Sequence, residues 1–269
     1  MPAISQPSSA ATTYALIGYP LGHSFSQRYF THRFASLGLA SHRYLLHETA
    51  TLAGLRQWIQ HEHIAGFNVT APFKREIIFH LDRLSPTAQA IGAVNCVSIE
   101  NGLLIGHNTD AQAFLDTLTP LQLSHNVQHN ALVLGTGGAA LAISHALNQL
   151  GIPSCLVSRT PSRGQLSYAQ AHQFLLHQRS GLLLINATPV GMPPLTDYSP
   201  WPYPDFPDSD GLAYDLIYNP SPTRFLQQAQ AAGTPIHDGL AMLLLQAEHS
   251  WSIWQNSNSA QNVLSPAGR

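Results

Sequence analysis

The sequence predicts an α/β protein made of two α/β domains. Short apolar runs alternate with helical stretches through the first part of the chain, and a second series of the same kind begins after Asp110. In that second series a glycine-rich loop lies between an apolar strand and a helix. Alternation of strand and helix is typical of a parallel sheet. The 269 residues are enough for two domains of ordinary size.

The elements of the first series follow from the spacing of its apolar residues. Runs rich in Leu, Ile, Val, Phe and Tyr are expected to form strands, and the longer segments between them are expected to form helices. The predicted strands are residues 14–17, 44–47 and 64–70, and the predicted helices are 26–37, 52–60 and 72–81.

The second series indicates a doubly wound, Rossmann-type nucleotide-binding unit, in which parallel strands carry helices on both faces. The prolines between 193 and 207 exclude helix and strand ladder, so a long surface loop is expected there. The other predictions are helices at 111–118, from the glycine loop to 150 and at 239–254, strands at 131–135, 155–158, 182–185, 213–218 and 235–237, and a polar loop at 124–130.

Composition excludes several classes of function. With 44% hydrophobic and 10% charged residues and a net charge of −2, the chain is typical of a soluble globular protein. It has no basic stripe for nucleic acid and no apolar run near 18 residues for a membrane. Residues 1–12 lack the pattern of a signal peptide and are expected to form a loose tail.

The cysteines and histidines indicate neither a disulfide framework nor a metal site. Cys96 and Cys155 form no CxxC pair, which favours a cytoplasmic location. The run 61–63, His-Glu-His, differs from the His-Glu-x-x-His spacing of a zinc helix, and no third ligand lies nearby in sequence.

Lys74 is the only lysine among the 12 lysine and arginine residues of the chain. Arginine stays protonated in proteins, whereas a lysine ammonium can donate a proton. Lys74 is therefore the first candidate for proton transfer. The alternative is an ordinary surface lysine.

The glycine-rich loop predicts a dinucleotide site. It follows an apolar strand and opens a helix, so that backbone amides and the helix N-terminus can approach a pyrophosphate. The spacing is Gly-x-Gly-Gly rather than the full fingerprint, and a simple turn is the alternative. The candidate residues are Gly135, Thr136, Gly137, Gly138 and Ala139.

The next strand favours NADP over NAD. An NAD site usually carries an acid about 20 residues beyond the glycines, where it binds the ribose hydroxyls. Here the strand ends in Ser158, Arg159 and Thr160, and Arg163 follows. Two guanidiniums can bind a 2′-phosphate that no acid repels. The alternative is a solvated basic turn.

Nine blocks along the chain carry a family resemblance: residues 18–26, 68–74, 91–95, 106–110, 135–140, 158–160, 186–192, 215–220 and 239–246. Together they resemble the shikimate dehydrogenases, NADPH-dependent enzymes of aromatic amino-acid biosynthesis that reduce 3-dehydroshikimate. The resemblance extends from about residue 16 to 254. Single blocks are weak evidence, but nine in the order of the family are specific.

The resemblance implies a catalytic pair, Lys74 and Asp110. Negative charge grows on the substrate carbonyl oxygen as hydride arrives, and an ammonium there can stabilise and then protonate that oxygen. Asp110 would orient the ammonium. The sequence alone favours another role for Asp110, as the N-cap of the following helix, and the resemblance reverses that preference.

The resemblance also implies the residues that bind the substrate. Ser24 and Ser26 would bind its carboxylate, and Tyr218 would line the site. Each has an ordinary alternative as a helix cap, a turn residue or a solvated helix position. The residues implied for the ring hydroxyls are Asn68, Thr70, Asn95, Asp110 and Gln246.

For NADP, the resemblance places Asn186, Ala187 and Thr188 along the dinucleotide, and Leu216 and Gly239 beside the nicotinamide. Met242 would pack on that ring or belong to the core. The implied domains are residues 1–109 with 237–269 for substrate and 110–236 for NADP, and the C-terminal helix returns to the first domain.

Four residues depart from the pattern of the family: Gln27, Cys96, Ala113 and Leu141. Leu141 replaces a basic residue common after the glycine loop, which bears on NADP affinity. Two other functions stay open, an NAD-dependent quinate/shikimate dehydrogenase and a non-catalytic dinucleotide-binding regulator. The expected assembly is a monomer or a homodimer.

Overall fold

The structure is a computed structural model that describes residues 12–22, 24–121 and 128–264, with side chains to residue 257. The chain forms two compact units. One contains the described residues up to Ala88, Val94–His107 and those from Ser250 onward, and the other contains Gln89–Ala93 and Asn108–His249. The predicted two-domain α/β architecture is confirmed. The predicted tail, His23 and most of the loop at 124–130 lie outside the described residues.

The first unit contains a six-stranded sheet. Its strands are β1 (Thr13–Gly18), β2 (Arg43–Glu48), β3 (Ile64–Val69), β4 (Arg83–Leu84), β5 (Cys96–Glu100) and β6 (Leu103–His107). Their order is β2-β1-β3-β5-β6-β4. The sequence predicts the first three strands, in which β1 runs parallel to both neighbours, and misses the other three.

Strands β5 and β6 form a hairpin. Strand β5 is antiparallel to β6 and also to β3 on its other side. Asn101 and Gly102 join β5 to β6 with φ of 51° and 81°. Asn-Gly is the dipeptide that two-residue hairpin turns prefer, because both central residues need positive φ. A parallel connection would need a long crossover instead.

Three α-helices accompany this sheet in sequence: α1 (Ser26–Ser36), α2 (Leu55–His61) and α3 (Pro86–Ile91). The predicted helix at 72–81 is wrong, because turns lead into a short 3₁₀ helix, Glu76–His80. The reason is a competing hydrogen bond. The Val94 amide donates to the Lys74 carbonyl at 2.7 Å, which ties this turn to a distant segment.

An aromatic layer covers one face of the first sheet. The Tyr14 ring stacks on Trp254 with centroids 4.6 Å apart, and Phe30 lies 5.4 Å from Trp254. The indole Nε1 of Trp254 donates to the Val97 carbonyl at 3.0 Å. Gly66 is required beneath it, since an added Cβ would lie 2.5 Å from the indole.

The second unit contains a fully parallel sheet of order β11-β10-β9-β7-β8. Its strands are β7 (Asn130–Leu134), β8 (Ser154–Val157), β9 (Leu182–Asn186), β10 (Leu212–Asp215) and β11 (Ile236–His237). All five coincide with predicted strands. From β7 the chain continues to β8 on one side and then crosses to β9 on the other side of β7. This reversal of direction creates the switch point where such sheets bind ligands.

Alternate residues of β7 enter cores on opposite faces of this sheet. Val133 belongs to a cluster with Ile143, whereas Leu132 belongs to a cluster with Leu175 and Leu226. This arrangement confirms the doubly wound prediction. The α-helices of this part of the chain are α4 (Asp110–Leu118), α5 (Gly138–Gln149), α6 (Tyr168–His177), α7 (Arg224–Ala231) and α8 (Leu240–Leu264), of which α6 and α7 were not expected.

The proline-rich segment 193–207 contains neither helix nor strand, as expected. It is nevertheless anchored, because Trp201 and Phe206 are fully buried. The Trp201 indole also donates to the Asp205 carbonyl at 2.8 Å. Only part of this loop is therefore at the surface.

Helix α8 is divided between the two units at His249 and Ser250. Met242 belongs to a core cluster of the second unit, and Trp254 packs in the first. The return of the chain to the first domain is confirmed, although the division lies within α8 and not at 237. Across the described residues, none of the helices has the length and apolar character needed to cross a membrane.

Candidate active site

The glycine-rich loop presents open backbone between β7 and α5. Gly135 has φ 112°, and an added Cβ would lie 3.1 Å from the Ala187 carbonyl oxygen. At Gly137 an added Cβ would meet no atom within 4 Å, so its environment leaves room for a ligand. Gly137 also begins α5 without a side-chain cap. The first amides of the helix can therefore receive an anion, which fits a pyrophosphate.

Asn186, at the end of β9, shapes the neighbouring loop. Its Oδ1 accepts hydrogen bonds from the amide and the hydroxyl of Thr188, at 2.9 and 2.7 Å. Its Nδ2 donates to the Val190 carbonyl at 3.1 Å and to Asp215 at 2.9 Å. The buried amide thus holds residues 186–190 in one conformation beside Gly135.

Asp215 ties the end of β10 to this loop. The carboxylate is fully buried. It accepts a hydrogen bond from the Ile217 amide at 3.0 Å and another from the Thr223 hydroxyl at 2.6 Å. Burial raises the pKa of Asp215 to about 6, against the opposing effect of its hydrogen-bond donors. Asp215 is therefore an organising carboxylate of this crevice.

Leu216 and Gly239 approach each other closely. The Gly239 amide donates to the Ile217 carbonyl at 3.1 Å. An added Cβ at Gly239 would lie 2.0 Å from the Leu216 carbonyl oxygen, so only glycine fits. Met242 is buried in a core cluster against which Leu216 packs, which supports the core interpretation of this methionine.

The basic turn after β8 is accessible. Arg159, Thr160 and Arg163 are exposed, and the Ser158 hydroxyl accepts the Thr160 amide at 3.2 Å. The Arg159 charge opposes the rise that burial produces in the pKa of Tyr168, which places this guanidinium near that ring. The turn offers charge and hydroxyls to an anion.

In the first unit, Ser24 and Ser26 lie at the start of α1. The Ser26 amide donates to the Ser24 hydroxyl at 3.3 Å, and α1 has no side-chain cap. Ser26 also hydrogen-bonds Tyr44, an interaction that lowers the pKa of this tyrosine while burial raises it well above its usual value. Both serines are half-buried.

Asn68 is the centre of a buried polar network in the first unit. Its Oδ1 accepts the Tyr44 hydroxyl at 2.8 Å. Its Nδ2 donates to the Asn95 carbonyl at 3.1 Å and to the Ser250 hydroxyl at 2.8 Å. The side chain is 5% exposed, so its orientation is set by these partners.

Thr70 directly follows β3, Lys74 lies in the turn beyond it, and Asn95 directly precedes β5. The Thr70 amide extends the β1 pairing through a 2.9 Å bond to the Ile17 carbonyl. Lys74 is half-buried in the turn that the Val94 amide holds, and Asn95 is buried. Backbone hydrogen bonds therefore fix the main chain at each of these three residues.

In the second unit, Asp110 is the first residue of α4 and is buried. The Ala111 amide is accepted by Asn108 Oδ1 at 3.2 Å. Asn108, and not Asp110, thus provides the side chain at the start of this helix. The Thr109 hydroxyl donates to the Gln246 carbonyl at 3.0 Å, and Tyr218 is half-buried near the end of β10.

The structure therefore groups the predicted residues by unit. Ser24, Ser26, Asn68, Thr70, Lys74 and Asn95 lie in the first, and the remaining candidates lie in the second. The pairing of Lys74 with Asp110 stays a prediction. No group of three His, Cys, Asp or Glu side chains within the described ranges is arranged to hold a metal ion.

Comparison with known proteins gives consistent matches along the chain. The sequence model of the shikimate dehydrogenase substrate binding domain matches residues 16–97. A shikimate dehydrogenase (NADP(+)) of Thermus thermophilus is 38% identical over 249 residues, which cover 90% of this chain and 91% of that protein.

The chain belongs to the shikimate dehydrogenase family.

Similarity to solved structures agrees with this membership. Shikimate 5-dehydrogenase of Thermus thermophilus, in complex with NADP(H) and shikimate, superposes with a TM-score of 0.78 at 36% identity, covering 94% of this chain and all of that one. The ligand-free 5-ketofructose reductase of Gluconobacter sp. strain CHM43 superposes with a TM-score of 0.71 at 26% identity, covering 94% of this chain and 99% of that one. The same fold therefore occurs with another substrate.

Three departures from the shikimate dehydrogenase pattern have structural explanations. Gln27 donates to the Tyr44 carbonyl at 3.0 Å. Ala113 is fully buried on the inner face of α4, and Leu141 packs against the core of the second unit. Cys96 is buried beside Asn95, and nothing in the structure explains the choice of cysteine there.

Sequence reasoning missed four residues that organise the candidate site. Asn108 accepts an amide of the first turn of α4, Asp215 joins two loops, and Tyr44 and Ser250 hold Asn68. Asp215 lay within a matched block, where its position at a strand end was the available signal. Tyr44 and Ser250 gave no such signal, because their partners are distant in sequence.

Proposed function

We propose that this chain catalyses the reversible reduction of 3-dehydroshikimate to shikimate, with NADPH as the hydride donor. The observation that carries the proposal is 38% identity to a shikimate dehydrogenase (NADP(+)) over 90% of the chain. Each residue type that the reaction needs is present at the matching position. The geometry of the two units supports residue-level roles.

Lys74 is the proton donor to the substrate oxygen in reduction and the proton acceptor in oxidation. NADPH, when bound, supplies the hydride. Negative charge develops on the substrate oxygen, and an ammonium stabilises this charge before it protonates the oxygen. The 2.7 Å bond between the Val94 amide and the Lys74 carbonyl supports this role, since a fixed backbone reduces the freedom of the amine.

Asp110 orients the Lys74 ammonium and contacts a ring hydroxyl. Support comes from the start of α4, where Asn108 already accepts the Ala111 amide at 3.2 Å. The alternative role of Asp110 as the helix cap is therefore not needed. Burial of this carboxylate makes an interaction with a charged partner stronger than it would be in water.

The first unit binds the substrate. Ser24 and Ser26 bind the carboxylate at the start of α1, where helix amides favour an anion. Neutral hydrogen-bonding groups select the ring hydroxyls, because a ligand that lacks one leaves a buried partner unpaired. These groups are Asn68, Thr70 and Asn95, together with Asp110 and Gln246 from the second unit, and Tyr218 lines the site.

The second unit binds NADP. The open backbone at Gly137 and the uncapped α5 fit the pyrophosphate, and residues 186–188, Leu216 and Gly239 extend along the dinucleotide. Arg159 and Arg163 bind the 2′-phosphate, with Ser158 and Thr160. Their exposure supports this role, because a phosphate can reach them without rearrangement.

We infer that the protein acts in the cytoplasm as a monomer or a homodimer. Cys96 and Cys155 are both free thiols, which agrees with a reducing compartment. Gel filtration with light scattering would measure the assembly, and a mass above that of two chains would contradict this inference.

A steady-state assay tests the proposal. Purified protein is mixed with shikimate or quinate and with either NADP or NAD, and the nicotinamide absorbance is followed. We expect turnover with NADP, loss of turnover in Lys74→Ala, and full activity in Arg75→Ala, an exposed neighbouring cation that serves as the matched control. A preference for quinate with NAD would favour the alternative dehydrogenase. Cofactor binding without turnover would favour a regulator.

A further inference from the structure

The side-chain amide of Asn68 has no N–H hydrogen left to donate to a ligand. An Asn side chain carries two N–H hydrogens and two acceptor sites on its oxygen. Both hydrogens are used within the first unit, at 3.1 Å to the Asn95 carbonyl and at 2.8 Å to the Ser250 hydroxyl. One acceptor site on Oδ1 takes the Tyr44 hydroxyl. What remains is a single acceptor site.

The orientation of this amide follows from its partners. A carbonyl oxygen can only accept, so the group facing the Asn95 carbonyl must be the NH₂ of Asn68. Rotating the amide by half a turn would place two oxygens against each other at about 3 Å. The Ser250 hydroxyl, which can both donate and accept, receives the second hydrogen.

We propose that Ser250 is a positioning residue for substrate selection, which acts by occupying the second N–H of Asn68 and leaving Asn68 as a pure acceptor. The inference rests on the proposed substrate-binding role of Asn68. The ring hydroxyl at this position must then donate its hydrogen to Asn68 Oδ1. A ligand with a carbonyl or an ether oxygen in the same place is rejected, because two acceptors would face each other.

The surroundings of Ser250 hold its hydroxyl beside Asn68. Ser250 is fully buried and is the first residue of α8 that belongs to the first unit. Its helix is fixed by Trp254, whose indole donates to the Val97 carbonyl at 3.0 Å. The helix backbone therefore cannot readily withdraw the hydroxyl from Asn68.

Ser250→Ala removes the hydroxyl and keeps the Cβ, so it frees one N–H of Asn68 with little change in volume. The matched control is Ser257→Ala on the same helix, where the buried hydroxyl donates to Glu100 at 2.8 Å. Ser250→Cys is the second variant, since it retains the side-chain size with a weaker acceptor. Circular dichroism and melting temperature are measured for all three.

The kinetic readout separates positioning from general stability. We expect Ser250→Ala to raise KM for shikimate about three- to tenfold, the range of one net hydrogen bond, with KM for NADP unchanged. Ser250→Cys should fall between the wild type and Ser250→Ala. Ser257→Ala should keep the wild-type KM for shikimate even if its melting temperature falls.

Deoxy analogues of shikimate provide a second readout. The 4-deoxy and 5-deoxy compounds are each compared with shikimate in the wild type and in Ser250→Ala. We expect the loss in kcat/KM for one of these two analogues to shrink in Ser250→Ala, because the Asn68 side chain, with one of its three hydrogen bonds removed, then holds Oδ1 less firmly against that hydroxyl. Equal losses in both proteins, or equal KM values for Ser250→Ala and Ser257→Ala, would overturn the inference.

These outcomes are distinguishable from a failure of the proposed function. A wild-type protein that does not turn over shikimate would overturn both. An active wild type with unchanged selectivity in Ser250→Ala and Ser250→Cys would overturn the role of Ser250 alone. If Ser250→Ala does not fold, the Ser250→Cys comparison decides the matter by the same criteria.

Discussion

The buried carboxylate of Asp215 should make the stability of the protein depend on pH in a defined direction. Burial raises its pKa from 3.8 to about 6. The folded carboxyl binds its proton more tightly than the unfolded one. Folding at a pH between about 4 and 6 is therefore accompanied by uptake of a proton. Stability from this group is present at low pH and is lost as the pH rises through that interval.

The size of the effect follows from the two pKa values. Their difference of about two pH units corresponds to about 3 kcal/mol, since each unit is about 1.4 kcal/mol. Asp215→Asn is neutral at every pH and resembles the protonated form. We therefore expect the free energy of unfolding of this variant, relative to the wild type, to rise by up to about 3 kcal/mol between about pH 4 and pH 7.

Urea unfolding of both proteins across this range measures the difference. Trp201 is buried in the second unit, which also contains Asp215, so its fluorescence reports on that unit, and circular dichroism reports on the whole chain. Asp197→Asn is the control, because this aspartate is exposed. A difference between wild type and Asp215→Asn that stays constant with pH would refute the reasoning.

Four further outcomes are expected. Lys74→Arg should lower kcat by about 10²–10⁴ with NADP affinity preserved, and near wild-type kcat would contradict the proton-transfer role. Arg159→Ala should raise KM for NADP roughly ten- to hundredfold and leave KM for NAD unchanged; an unaltered KM for NADP would mark a surface residue. Asp110→Asn should lower kcat while KM for NADP stays near the wild-type value, because the Lys74 ammonium then loses the carboxylate that orients it; an unchanged kcat would mean that Lys74 works without Asp110. Gly239→Ala should lower the melting temperature and weaken NADP binding, because its Cβ would lie 2.0 Å from the Leu216 carbonyl oxygen, and unchanged values would contradict this packing argument.

The elements with strong local signals could be predicted from the sequence. The apolar runs at β1, β7 and β9 are bounded by polar or glycine residues, so both their type and position were clear. The hairpin of β5 and β6 carries the Asn101-Gly102 signal, but the strand–helix alternation that precedes it predicts a parallel sheet, so its two strands were missed.

Long-range partners explain most of what could not be predicted. The apolar spacing of residues 72–81 is typical of a helix. The Val94 amide nevertheless donates to the Lys74 carbonyl at 2.7 Å, and this bond competes with the hydrogen bond that an α-helix would form there. Ser250 and Asn68 are 182 residues apart, so no local pattern links them. The matched blocks were sufficient to propose the residues of the candidate site one by one. The residues that position those side chains could be identified only from the folded structure.

The placement of Trp254 has a consequence for how the chain matures during its synthesis. Tyr14 and Phe30 are made early, but the indole that covers them belongs to Trp254, in the second half of α8. While the ribosome is still translating, this aromatic surface has no cover from α8. The second unit, whose strands all lie between residues 130 and 237, can assemble before the first is complete. A nascent chain stalled before α8 should therefore expose the Tyr14 face to chaperones even though the residues of both sheets have already been made.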